Sequence, residues 1–226
     1  MQCNRCRSDP VIFQPYSGRN LCRDHFIADF EARAKRLIRQ HQWMRPGDHL
    51  AVPLSGDRAS SALLSFLQDL AACRRDIWIS VIPLNRDIRA GTDTSSYDEK
   101  AAGIHATRLA LATSLDDVAV SVLSGIFRGL PGPVAGAPVE QYPDKGVPVP
   151  RISPFSGIPA EEIVLYAQLR GVGSDIARED PGEMFHNEVK NMLDEYSSRH
   201  PATKYAVVNL GHELARCSLY TGEEIA

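Results

Sequence analysis

The chain has 226 residues, of which 43% are hydrophobic, and a formal net charge of −3. That is enough apolar material for a full core, which excludes a disordered or low-complexity chain and suits one main domain with an appendage. No apolar run approaches the roughly 20 residues needed to cross a bilayer, and the polar, cysteine-bearing start does not read as a signal peptide, so a cytoplasmic protein with no membrane partner is expected. The charge is uneven. Residues 1–50 carry nine Lys/Arg against five Asp/Glu, so only the front end suits a polyanion.

Cys3-Asn4-Arg5-Cys6 and Cys22-Arg23-Asp24-His25 form C-x2-C…C-x2-H, four metal-type ligands in two close pairs. Each pair fits a tight knuckle on which thiolates and imidazole converge, and no open coordination position is suggested. A structural zinc at Cys3, Cys6, Cys22 and His25 is therefore expected. A disulfide fits poorly with a cytoplasmic chain. Val11, Ile12, Phe13 and Tyr16 are too few apolar residues to hold this segment, so about 25 residues should lose their fold without metal.

A helix of about 20 residues follows, with Phe26, Phe30, Ala34, Leu37 and Ile38 on one face and Arg33, Lys35, Arg36 and Arg39 largely on the other. It ends before Pro46-Gly47. The basic face suits an RNA backbone, and an ordinary solvated face is the alternative.

From residue 49 the pattern alternates. Strands are expected at His49–Leu54, Ile77–Leu84 and Arg108–Ala112, and helices at Ser61–Ala72, Asp116–Phe127 and Ala160–Gly171. Such alternation predicts a parallel sheet with crossover helices and ligands beyond the C-terminal strand ends. Ser55–Ser60, Asn85–Arg89 and Thr113–Asp117 then share one rim. Ser55-Gly56-Asp57-Arg58-Ala59-Ser60, between a strand and a helix, stands where free N–H groups and a helix dipole receive a phosphate. Asp57 opposes that, because its carboxylate repels an anion. Residues 129–150 carry much Pro and Gly and read as an irregular connection.

In this order, the metal pairs, the basic helix, the Ser-Gly loop, Leu115-Asp116-Asp117, Arg151-Ile152-Ser153-Pro154-Phe155, Glu161-Glu162-Ile163-Val164-Leu165-Tyr166-Ala167 and His200-Pro201-Ala202-Thr203-Lys204-Tyr205 resemble the tRNA 2-thiolation family of PP-loop ATP pyrophosphatases. The resemblance spans nearly the whole chain. It implies a zinc knot at 1–26, a linking basic helix at 27–46 and a PP-loop α/β domain at 47–226. The family's loop reads S-G-G-x-D-S, and its chemistry is adenylation of a target base oxygen followed by replacement of AMP with sulfur. On that pattern Ser55, Gly56, Arg58, Ser60, Asp116 and Asp117 are the candidate ATP-binding residues, with Mg-ATP as candidate ligand.

The chain also departs from the family. Asp57 replaces the second loop glycine, and Ala59 replaces the acidic residue. Residues 91–107 and 171–182 lack the family's cysteines, so no iron–sulfur cluster is expected. Cys73 reads as a buried free thiol, Cys217 falls where the family's second zinc finger would begin, and His105, His186, His200 and His212 read as surface or capping residues. Two readings remain open. One is a non-catalytic, tRNA-binding partner with no catalytic residues of its own, in a homodimer or with an active PP-loop paralogue. The other is a working ATP-dependent sulfurtransferase that uses a separate sulfur donor.

Overall fold

The computed structural model describes residues 1–83, 95–129, 149–174 and 184–221, without the side chains of 95–96 and 216–221. It opens with an antiparallel hairpin, β1 (Ile12–Gln14) and β2 (Arg19–Leu21), and helix α1 (Arg23–Gln40). Phe26, Phe30, Ala34 and Ile38 recur every four residues along α1 and are buried, the stripe a 3.6-residue period requires. The hairpin buries little of its own. Leu21, Cys3 and Cys22 face the main core, whereas Val11 and Phe13 are exposed, which leaves the segment with even less apolar support of its own.

Four parallel strands follow: β3 (His49–Leu54), β4 (Trp78–Pro83), β5 (Arg108–Ala110) and β6 (Arg151–Ile152), in the spatial order β4-β3-β5-β6. Central β3 is apolar on both faces, as a covered parallel strand must be. Leu50 and Val52 join Ala110 and Ile152 in one core with α1, α2 (Arg58–Ala72) and α5 (Ala160–Arg170). Ala51 and Leu109 face the opposite side, covered by α3 (Ser95–Gly103). A separate cluster joins α4 (Leu115–Phe127) to α6 (Met184–Arg199) and α7 (Thr203–Thr221) through Val118, Val122, Val189, Leu193 and Val208.

The expected α/β class and parallel sheet are present. Elements α3, β6, α6 and α7 were not anticipated from periodicity. Strand β6 is two residues long, too short for a period-2 signal, and α3 is polar. Cys73 corrects the expectation of a buried thiol: it is the exposed C-cap of α2, just past the last helical residue that packs inward. Cys217 falls within α7. Because all four strands are parallel, the loops after β3, β5 and β6 share one rim; Asn85–Arg89 lies outside the described residues. No helix among the described residues is long and apolar enough to cross a membrane.

Candidate functional site

The two N-terminal pairs converge. One donor atom from each of Cys3, Cys6, Cys22 and His25 lies within 4.8 Å of every other. Cys6 Sγ is 3.6 Å from Cys22 Sγ, and His25 Nδ1 is 3.2 Å from Cys22 Sγ and 3.5 Å from Cys3 Sγ. With metal–sulfur bonds of about 2.3 Å, a tetrahedral ion needs donors roughly 3.5–3.8 Å apart, so the spacing fits one four-coordinate ion. Burial raises the Cys3 thiol, but N–H groups of Cys22, Arg5 and Cys6 outweigh it and bring the thiol down to about 6. The thiolate, the form that binds metal, is thereby favoured.

The Ser-Gly loop leaves β3 through Gly56, whose φ of +82° a side chain would strain. Asp57 then caps α2: its Oδ1 accepts from the Ser60 backbone N–H at 2.7 Å. That amide is one of the orphan donors an anion at a helix N-terminus would use. Ser55 and Ser60 hydroxyls meet each other at 3.1 Å. Val172, Gly173 and Ser174 close over the loop, with the Ser174 N–H and hydroxyl both donating to Gly56 O at 3.2 and 3.0 Å. A Cβ on Gly173 would lie 2.8 Å from Arg58 Cα, so this segment fits only as glycine.

Asp116 and Asp117 are also engaged. Asp117 forms a capping box with Ser114, exchanging bonds of 2.8 and 3.1 Å, while Asp116 Oδ2 accepts from the Ala160 N–H at 2.8 Å. Asp116 Oδ1 accepts from Lys204 Nζ at 2.5 Å, and the same ammonium reaches Asp194 at 2.6 Å. Both carboxylates raise the Lys204 pKa above its ordinary value against the opposing effect of burial. Lys204 was visible only as part of the His200–Tyr205 motif; nothing local assigned it a partner 88 residues away. Asp116 and Lys204 line a cavity of about 410 Å³ that does not include residues 55–60.

The basic helix divides. Arg36 and Arg39 are exposed, and Lys35 is bound to Glu31 one turn back at 2.9 Å. Arg33, expected on the RNA-facing side, is turned inward. Its guanidinium is 16% exposed and pairs with Glu162, 1% exposed, and with Asp29 at 3.1 Å. The reason is position: Arg33 falls between the apolar stripe of α1 and α5, where two buried carboxylates need a cation.

The family model for the 2-thiouridine synthetase TtuA N-terminal LIM domain matches residues 2–27, the segment that carries the four metal ligands. Along the chain, the tRNA 2-thiolation protein NcsA of Haloferax volcanii is 24% identical over 290 aligned positions, covering 99% of this chain and 90% of that protein. The cytoplasmic tRNA 2-thiolation protein 1 of Bos taurus is 24% identical, covering 96% and 78%. Over nearly its whole length the chain is similar to tRNA 2-thiolation proteins. The Haloferax alignment is longer than this chain, so that protein carries segments this one lacks. The same fold occurs in the solved U34-tRNA thiolase NcsA from Methanococcus maripaludis with its [4Fe-4S] cluster, at TM-score 0.74 and 19% identity over 96% of this chain and 88% of that one.

That structure corrects the expected cofactors, which were zinc with no iron–sulfur cluster. A protein of this fold carries such a cluster, and cysteine thiolates bind iron–sulfur clusters as readily as single ions. The lack of cysteine in 91–107 and 171–182 therefore does not exclude iron. What stands is the donor set of three cysteines and one histidine.

Proposed function

We propose that this chain is a non-catalytic, tRNA-binding member of the cytoplasmic tRNA 2-thiolation machinery that works beside an active PP-loop paralogue. The observation that carries this reading is the Asp57 carboxylate on the Ser60 N–H. In a working PP-loop that amide faces a phosphate; here a fixed negative charge takes its place. Two like charges about 4 Å apart near a protein surface repel by roughly 4 kcal/mol, enough to remove micromolar nucleotide affinity to the millimolar range. The commitment of Asp116 and Asp117 to protein partners supports the same reading. The metal knot at 1–26, the helix at 27–46 and the α/β body at 47–226 are its three units, and a homodimer is the alternative assembly.

Calorimetric titration with Mg-ATP tests this. The unmodified chain is expected to show no heat of binding, and Asp57→Gly with Ala59→Asp to gain at least tenfold in affinity. The glycine costs only a few tenths of a kcal/mol at a helix cap, so that variant should fold. Micromolar binding by the unmodified chain would sink the partner reading in favour of an ATP-dependent sulfurtransferase, for which the retained Ser55, Gly56 and Ser60 speak.

RNA contact through α1 makes a separate prediction. Arg36→Ala with Arg39→Ala should reduce the slope of log affinity against log salt by about 0.9 per residue, because fewer counterions are released on binding. An unchanged slope in a filter-binding series with tRNA would return this helix face to plain solvent.

A further inference from the structure

A second cavity, of about 370 Å³, lies at the β6 edge of the sheet, between the end of α1, the start of α4 and α7. That volume is within the roughly 300–1,000 Å³ of small-molecule sites. One wall is an aromatic pair: the rings of His41 and Trp43 stack with centroids 4.7 Å apart and planes 17° from parallel. Trp43 is 1% exposed, and its indole N–H, itself buried, has no acceptor among the described residues. Across from it stand His212 and Asn209 of α7, with Gln40 beside His41.

The chemistry of the walls narrows the ligand. No carboxylate is among the described lining residues, which argues against a cation. The one guanidinium among the described lining residues, Arg151, is already bound to Asp98, which argues against a polyphosphate. Burial lowers both histidines below their ordinary values, and His212 lowers His41 further, so near pH 7 each ring offers one donor and one acceptor. Two amides and two neutral imidazoles, set among leucine and valine side chains beside the Trp43 ring, suit a flat, uncharged ring with donors and acceptors on its edge.

We infer that this cavity is a nucleobase site, filled either by an unpaired base of RNA or by the base of a free mononucleotide. Only the RNA source rests on the tRNA-binding reading above. The site is separate from the Ser-Gly loop, none of whose residues line it.

The test uses the full chain carrying Trp78→Phe, which removes the other, exposed tryptophan and leaves Trp43 as the fluorophore. Three probes are titrated: uridine 5′-monophosphate, a nine-nucleotide single-stranded uridine RNA, and the same backbone without bases. The base-bearing strand should shift Trp43 emission, the abasic strand should not, and Asn209→Ala should weaken binding about tenfold. His212→Gln serves as the second variant if Asn209→Ala melts early. A shift with the monophosphate as well assigns the site to free nucleotide, and a shift with RNA alone assigns it to an RNA base. Emission unchanged by every probe, or shifted equally by the abasic strand, overturns the inference. RNA that binds without moving Trp43 removes this site and leaves the tRNA-binding reading in place. A monophosphate that moves Trp43 while no RNA binds does the reverse.

Discussion

Cys22→Ser should strip the metal from this protein and lower its melting temperature by about 8–16 °C. Cys22 Sγ sits 3.6 Å from Cys6 Sγ and 3.2 Å from His25 Nδ1, and the residue is buried against the core that α1 shares with the sheet. A serine oxygen is a poor donor to a soft metal, so three ligands remain where four are needed. Structural metal sites contribute on the order of 10 kcal/mol to their own small domain. Only the part coupled to the body registers in the melting of the whole chain. That coupling runs through Leu21, fully buried, and through Gln14 and Tyr16, which bond Glu162 of α5 at 3.2 and 2.6 Å. A loss of about 4 kcal/mol, at roughly 2–4 °C per kcal/mol for a chain of this size, gives the stated range. Elemental analysis of the unmodified protein identifies the metal and its stoichiometry in the same experiment. Cys73→Ser, at an exposed helix cap, is the control and should change neither quantity. If Cys22→Ser keeps a full equivalent of metal, or melts within 2 °C of the parent, the four-ligand centre is wrong.

The residues legible in the sequence were those whose role is set by near neighbours. The two metal pairs repeat one short spacing, β3 is a continuous apolar run, and α1 has a clear four-residue period, so each was placed correctly within a few residues. Asp57 was read as an obstacle to phosphate, and the geometry gives the reason a physical form: the carboxylate caps the helix. What could not be read were partners set by the tertiary fold. Arg33 lies on the basic side of α1 by sequence count, but a carboxylate 129 residues away turns it inward. Lys204 and His212 belong to α7, whose mixed pattern has no strong period, so their positions beside Asp116 and in the cavity wall depend on how that helix docks. The cofactor expectation failed for a different reason. Cysteine and histidine donors are shared by several metals, and spacing along the chain counts ligands without naming the ion.

Arg33→Ala should destabilise the protein by about 3–5 kcal/mol while leaving the salt dependence of tRNA binding unchanged. Removing one member of a buried ion pair strands the other charge in a poorly solvated place, which is what makes such changes costly. Glu162 is 1% exposed and would keep only neutral donors, the Tyr16 hydroxyl and the Gln14 amide. Burial keeps the Tyr16 phenol well above its ordinary value, so it donates at every working pH and supplies no compensating positive charge. Asp29 suffers less, because Arg5 and Arg19 each lie 3.6 Å from it. The double variant Arg33→Met with Glu162→Gln removes both charges, keeps the acceptor for Tyr16 and fills the space. It should recover most of the loss, since residues in contact do not act additively. Urea unfolding of the single and double variants measures the coupling, and a loss under 1 kcal/mol for Arg33→Ala would show that the pair is not what ties the metal knot and α1 to the body. Set beside Arg36→Ala with Arg39→Ala, the same variant separates the two uses of one basic helix: Arg33 should move stability and leave the salt slope alone, and the exposed pair should move the slope and leave stability alone.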